Sequence, residues 1–417
     1  MSPARIIPVA AAEAGRDVLA VDGGMPVRTR SLPPWPYFAP DEIEAVRAVL
    51  VSGRANYWTG SEGTTFEREF ADFVGTKHGV AIANGSIALE LALHAIGVGP
   101  GDDVVVPSRS FMATASCVVM RGARPLFADV DGVSGNITAE TLRAALTPRT
   151  KAVIVVHLAG WPCDMDPLLE AARAHNLKVI EDCAQSHGAT YKGRVTGSIG
   201  NIGAFSFCQD KIVTTGGEGG MLVTNDPLIW DRAWSYKDHG KSYDAVFNRE
   251  HAPGFRWLHE SFGTNWRMTE MQAAIGRQQL KKLPTWLAAR RRHAELLDSQ
   301  LTGIRGLTIP VPRADCGHAY YKYYGFVEPK ALKPGWTRER IVEAINAEGI
   351  PCISGSCSEI YLEEAFAGTD MRPRERLPVA RHLGETSLSV LVHPTLHRLD
   401  VLDTAAAIRK VMSAAAA

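Results

Sequence analysis

Between Val104 and Asp182 the chain alternates short, uninterrupted apolar runs with stretches of helical periodicity. The pattern predicts strands at Val104 to Val106, Pro125 to Val130, Ala152 to His157 and Lys178 to Asp182. Helices are predicted between them at Phe111 to Met120, Thr138 to Leu146 and Met165 to Ala174. Strands apolar on both faces and separated by helices pack only as a largely parallel sheet covered on both sides, so the fold class is α/β. Ligands of open sheets collect at the carboxyl ends of strands. The loops beginning at Pro107, His157, Asp182 and Cys208 should therefore border one crevice.

One lysine falls where that crevice is expected. In GAFSFCQDKIVTTGGEGGMLVTN, Gly203 to Cys208 reads as a buried strand, Thr214 to Gly220 as a tight turn and Met221 to Thr224 as a second strand. Lys211 thus stands at a strand end. With a reference pKa near 10.4, only about one lysine in two or three thousand is neutral at pH 7, a deficit of roughly 4 to 5 kcal/mol that burial or a carbonyl cofactor can offset. The alternative is a loop lysine with its amine in water. Upstream, LKVIEDCAQSHGATYKG ends a strand in Glu181 and Asp182, followed by Gln185 and His187. Lys211 and Asp182 look like the two poles of a pyridoxal phosphate (PLP) site, an amine for the aldehyde and a carboxylate for the pyridine nitrogen. Asn84, Gly85 and Ser86 open a predicted helix, where free amides and the positive dipole end suit a phosphate; an ordinary N-cap is the alternative.

These segments, with NGSIALELAL from Asn84 and GTNWRMTEMQAA from Gly263, resemble in order and spacing the DegT/DnrJ/StrS family of PLP-dependent sugar aminotransferases, of aspartate aminotransferase fold type I. The resemblance implies PLP on Lys211, with Asp182 on the ring nitrogen, Phe111 stacked on the ring and Gln185 on its hydroxyl. It assigns Gly85, Ser86 and Ser206 to the phosphate, and Asn265 to the phosphate of a neighbouring subunit, so that the active sites of a homodimer are shared. It implies an amino-acid donor, usually glutamate, and a keto-sugar acceptor. A nucleotide-linked 4-keto-6-deoxy sugar, destined for a surface polysaccharide or glycosylated metabolite, is preferred. A 3-keto sugar or scyllo-inosose is the alternative, and a non-catalytic regulator on the same fold is the alternative of another class. Relatives that dehydrate at C-3 carry histidine where this chain has Lys211. The turn TTGGEGG holds one glycine more than the family pattern before Glu218.

A length of 417 residues implies more than one domain. The expected division is a tail at 1–33, a large PLP-binding domain at 34–283 and a small α+β domain at 284–417. The small domain should contain strands near Tyr321 to Val327, Pro351 to Ser354 and Ser387 to Val392, and helices near Arg338 to Ala347 and Leu399 to Met412. Lys plus Arg equals Asp plus Glu at 45 each, which speaks against a nucleic-acid partner bound through a basic face. Seven cysteines without metal-ligand spacing read as reduced thiols in a cytoplasmic protein. No apolar run is long enough for a membrane span, and Ile6 to Ala12, IIPVAAA, lacks the context of a secretory signal. Further expectations are a helix from Pro40 with Ile43, Val46 and Leu50 inward, and Phe66, Phe70 and Phe73 as a core face. Tyr57, Trp58, His157 and His239 are candidate substrate contacts.

Overall fold

The computed structural model describes residues 18–417; the expected tail and the Ile6 to Ala12 segment lie, up to residue 17, outside the described residues. A central sheet is built from β1 (His78–Ile82), β2 (Asp103–Pro107), β3 (Arg124–Ala128), β4 (Thr150–Val156), β5 (Lys178–Asp182), β6 (Ile202–Ser206) and β7 (Gly220–Thr224). Their order across the sheet is β1-β7-β6-β5-β4-β2-β3, and β7 alone runs against the others. β2 to β7 are buried except for parts of β3, the half-buried Thr150 and Lys151 that open β4 and the exposed Lys178 at the start of β5. That burial is why the sequence shows continuous apolar runs rather than alternation. The α/β expectation holds, with a mostly parallel sheet between helices.

The helices α1 (Pro40–Ser52), α2 (Glu62–Val74), α3 (Gly85–Ala95), α4 (Ala113–Met120), α5 (Ala139–Ala145), α6 (Met165–Ala174) and α7 (Pro227–Lys237) flank this sheet. Phe66 and Phe70 of α2 are fully buried and pack with Phe205 and Phe207, as their spacing predicts. The stripe expected on α1 is reversed: Ile43 is 61% and Leu50 57% exposed, whereas Glu42 and Val49 face inward. A carboxylate decides it. Glu42 accepts from the amide of Ala39 at 2.6 Å and from Lys282 at 2.7 Å, which caps the helix and ties that face to α8 (Glu270–Leu301).

α8 is one continuous helix of 32 residues with Pro284 inside it, so the chain passes position 283 without a break. Beyond it lie α9 (Arg338–Ala347), α10 (Pro378–Thr386) and α11 (Arg398–Ala415), with an antiparallel sheet of Leu307–Thr308, Tyr323–Val327, Ser387–Val390 and Cys352–Ile353, in that order. The short α10 is absent from the sequence expectations. Residues 18–33 are not a loose tail: Leu19 is buried in the core of this second lobe, with Val27 and Leu32 against it. Glu348 fastens the segment, accepting from the amides of Ala20 at 2.8 Å and Val27 at 3.0 Å and pairing with Lys410 at 2.9 Å. No helix among the described residues is long and apolar enough to cross a membrane.

Glu348→Ala leaves two amides and a lysine without their acceptor, so we expect a loss of about 3 kcal/mol in stability, measured by urea unfolding.

Candidate active site

β5 ends in two carboxylates that point to opposite faces, because side chains alternate along a strand. Glu181 turns into the layer beneath the sheet. Its Oε1 accepts from the amides of Ile199 at 2.7 Å and Gly200 at 2.6 Å, and its Oε2 from Gly197 at 2.9 Å. His157 lies 2.9 Å from the same Oε2. Its Nδ1 accepts from the Cys163 amide at 3.0 Å, so Nε2 carries the proton and donates to Glu181. His157 is therefore fully buried and engaged at both nitrogens, and the expectation of a substrate contact there is corrected: it braces Glu181.

Asp182 turns the other way, into the crevice. Its Oδ1 accepts from the Ala184 amide and its Oδ2 from the Thr114 hydroxyl, both at 3.1 Å, and Thr114 lies 2.7 Å from Ser110 Oγ. Burial pushes this carboxyl above its ordinary range, opposed by those two donors and by the charge of Lys211. A cation facing the carboxylate would relieve the mismatch.

Lys211 follows β6, the neighbour of β5, in a turn. Its side chain is 18% exposed, with Nζ 3.7 Å from Asp210 Oδ1 and 5.0 Å from the centre of the Tyr321 ring. Tyr321 in turn donates to Asp210, and the Trp35 indole donates to the Lys211 carbonyl at 3.0 Å. Burial disfavours charge on Asp210, but Lys211 and the Tyr321 hydroxyl outweigh it and hold this carboxyl below its usual range.

Two glycines let the backbone close on this centre. A methyl at Gly85 would stand 2.4 Å from Ser206 Cβ, and one at Gly220 2.4 Å from the Asn84 carbonyl oxygen. The amino end of α3 consequently sits against Ser206, with the Asn84 side chain capping Ile87 at 3.0 Å. Asn84 satisfies only the Ile87 amide, so a cap there leaves room for an anion site at the same helix end. In the TTGGEGG turn, Gly216 and Gly217 adopt φ of +84° and +123°, so both the expected and the additional glycine occupy left-handed backbone. Gln185 is oriented by its carbonyl oxygen, which accepts from the Ala159 amide at 2.7 Å; its NH₂ remains as a donor. Phe111 precedes α4, three residues before Thr114, and is 70% exposed.

Not every predicted residue joins this group. Tyr57 is buried and donates to Glu67 at 3.0 Å beneath Lys237, while Trp58 packs on Trp234 and Phe247. Both line a cleft with His78, at the opposite end of β1 from Gly85, and the expectation that they wall the substrate beside Lys211 is corrected. His239 is exposed on a left-handed turn after α7, its amide donating to Thr264. Asn265 does not cap α8, which is capped by Thr269; its exposed side chain faces outward. Thr114, Asp210, Tyr321 and Trp35 escaped the sequence reading because they come from four separate segments. A hydroxyl one turn into the helix that ends the β2 loop was the only local signal, for Thr114.

A buried acid, a lysine in the turn after the neighbouring strand and a glycine-closed helix end are the parts a PLP site requires, and these residues fit that cofactor. The comparisons agree. The sequence pattern of the DegT/DnrJ/EryC1/StrS aminotransferase family matches residues 36–409, and the chain belongs to that family, whose enzymes are PLP-dependent. The crystal structure of an aminotransferase from Psychrobacter cryohalolentis is 54% identical, with a TM-score of 0.90 over 92% of this chain and 99% of that one. GDP-perosamine synthase of Caulobacter vibrioides is 38% identical across 85% of this chain and 92% of its own length. The L-glutamine:2-deoxy-scyllo-inosose aminotransferase of Streptomyces kanamyceticus is also 38% identical, across 80% and 79%.

Gly85→Ala sets a methyl 2.4 Å from Ser206 Cβ and 2.9 Å from its backbone Cα, so α3 and β6 must part; we expect a lower melting temperature and PLP binding weakened about tenfold or more, checked by thermal unfolding and by titration of the apoprotein followed by cofactor absorbance.

Proposed function

We propose that the protein is a homodimeric sugar aminotransferase of the cytoplasm, moving an amino group from glutamate to the keto carbon of a nucleotide-linked sugar. A 4-keto-6-deoxy sugar is the preferred acceptor, and the product feeds a surface polysaccharide or glycosylated metabolite. The observation that carries this is the meeting of Lys211, Asp182 and the Gly85–Ser206 contact at the carboxyl ends of adjacent strands. The Caulobacter relative, named for a nucleotide-linked product, supports the nucleotide-linked acceptor, while scyllo-inosose aminotransferases of similar identity keep the cyclitol as the alternative. The cytoplasm is supported by seven free cysteines.

Bound PLP supplies an electron sink for the carbon that loses its proton. Lys211 Nζ would take the proton from Cα of the donor and return it to the neighbouring aldehyde-derived carbon, one nitrogen away, and would run the same transfer in reverse on the acceptor. Asp182, held by Thr114 and Ala184, would keep a proton on the ring nitrogen. The Gly85 and Ser86 amides and the Ser206 hydroxyl would hold the phosphate. Gln185 would donate to the ring oxygen, and Phe111 would cover the ring and exclude water.

The shared site is supported by the surface around Asn265. Phe262, three residues before it, is 98% exposed, and Phe255 and Trp257 project from the same segment. Exposed aromatics at this density suit a surface that a second copy covers. Asn265 would then serve the partner's phosphate rather than its own.

Borohydride treatment followed by digestion should leave a pyridoxyl mass on the peptide containing Lys211, and a tag elsewhere would refute the assignment. Asp182→Asn should fold and bind PLP but transfer amino groups between about a hundredfold and ten-thousandfold more slowly, as followed by 2-oxoglutarate release. Without cofactor this variant should melt no lower than the parent near pH 7. The sign follows from the raised carboxyl: its ionisation opposes folding above the native pKa, and an amide removes that opposition. Product NMR across nucleotide keto sugars and scyllo-inosose identifies the acceptor.

A further inference from the structure

The backbone of Lys211 is pinned on both sides. Its amide donates to the Cys208 carbonyl at 3.1 Å, and its carbonyl accepts from the Trp35 indole at 3.0 Å. The side chain alone is left to swing, and among the described residues its amine has one carboxylate within ion-pair distance. That carboxylate is Asp210, with Oδ1 3.7 Å from Nζ. Asp182 also acts on the amine by charge, but its oxygens are taken by Thr114 and Ala184.

The second oxygen of Asp210 is occupied, since Oδ2 accepts from the Tyr321 hydroxyl. Burial and the charge of Asp210 hold this phenol well above its ordinary range, so it remains a donor at every pH at which the protein stays folded. The phenol fixes the rotation of the carboxylate and leaves Oδ1 to the amine. Two further titratable groups feel the charge of Lys211. Burial keeps His187 neutral, with its pKa lowered to about 3, and burial also lowers that of Lys322 against the pull of Asp210. The Asp210 side chain is 55% exposed, and such a pair in open water is worth little. Its exposed side, however, lines a cavity of about 480 Å³ together with Arg290, Tyr321, Lys322 and His393. A substrate that fills this cavity displaces its water, and the pair then interacts through a medium of lower dielectric.

Taking a proton from Cα of the donor turns neutral Nζ into an ammonium, and passing it to the neighbouring carbon turns it back. Between the two transfers a cation stands in a closed cleft, where it is costly without a fixed anion beside it. We propose that Asp210, oriented by Tyr321, is the counter-ion that carries Lys211 through this charged state, an assignment that rests on the aminotransferase reading. Asp210 takes no proton itself: Lys211 and the Tyr321 hydroxyl hold its carboxyl below the usual range, so the proton stays on nitrogen until it moves to carbon.

The test compares the PLP-loaded full chain with Asp210→Asn, which keeps the shape and an acceptor for Tyr321 but loses the charge. In the resting protein Nζ is bonded to the cofactor, whose absorbance reports whether that nitrogen holds a proton. Asp210→Asn should lower the pH of the absorbance change by about one unit. A single turnover with glutamate should slow about tenfold to a hundredfold at unchanged KM for glutamate. Asp210→Glu, which restores the charge, should recover most of the shift. Tyr321→Phe should shift the profile the same way by less, and no shift there overturns the counter-ion even where Asp210→Asn fails to fold. An unchanged absorbance profile in Asp210→Asn overturns it, as does a slower turnover matched by a higher KM, which would mark a substrate contact. If the parent protein reacts with no amino donor, the proposed function falls and the absorbance shift alone decides the counter-ion. If the parent transaminates and the shift is absent, the counter-ion falls and the function stands.

Discussion

The consecutive carboxylates of β5 are the constraint from which the centre of the molecule follows. Burying Glu181 is tolerable only because three backbone amides and the His157 imidazole surround it. Those amides come from residues 197–200, so the carboxylate fixes the loop that feeds β6, and with it the strand whose end precedes Lys211. Asp182, one residue later and on the opposite face, receives only two donors and stays out of balance until a cation meets it. One strand therefore carries a satisfied acid that builds the scaffold and an unsatisfied one that addresses a ligand. Their separation is a consequence of the pleat.

Lys211 is held from both lobes. Trp35 binds its carbonyl from the segment before α1, while Tyr321, from the second lobe, donates to Asp210 and presents its ring to the amine. These contacts join stretches 176 and 111 residues apart in the chain. Chemistry at the lysine is consequently coupled to the packing of residues 18–35 and α8 against the small sheet, and not to the large domain alone.

Much of this was legible in the sequence because it rests on short-range chemistry. The period of apolar residues located the strands of the large sheet, and EDCAQSHG and FSFCQDK placed Asp182 and Lys211 at strand ends. What escaped depends on partners distant in sequence. Two of three apolar residues at helical spacing on α1, Ile43 and Leu50, pointed outward because one buried carboxylate, Glu42, found Lys282. His157 read as a site residue because a histidine at a strand end is ambiguous until its neighbours are known, and here both nitrogens are spent on structure. Tyr57 and Trp58 sit in a loop whose path only the fold determines.

Net charge misleads in the same way. A balance of 45 basic and 45 acidic residues suggests no preference for anions, yet the distribution between the lobes is uneven. Arg290, fully buried, binds only the carbonyls of Tyr320 and Tyr321, and burial lowers its pKa to about 9. Burial likewise lowers that of Lys322, next in sequence to Tyr321. With Arg109 they place three desolvated cations around the cavities beside Lys211, whereas the acids of the surface pair mainly with surface bases. Among the described residues, Asp210 is the one carboxylate lining those cavities, and it is already engaged by Lys211 and Tyr321. The interior field beside the lysine is therefore positive in a protein that is neutral as a whole, and anionic substrates are drawn by the cleft rather than by the surface.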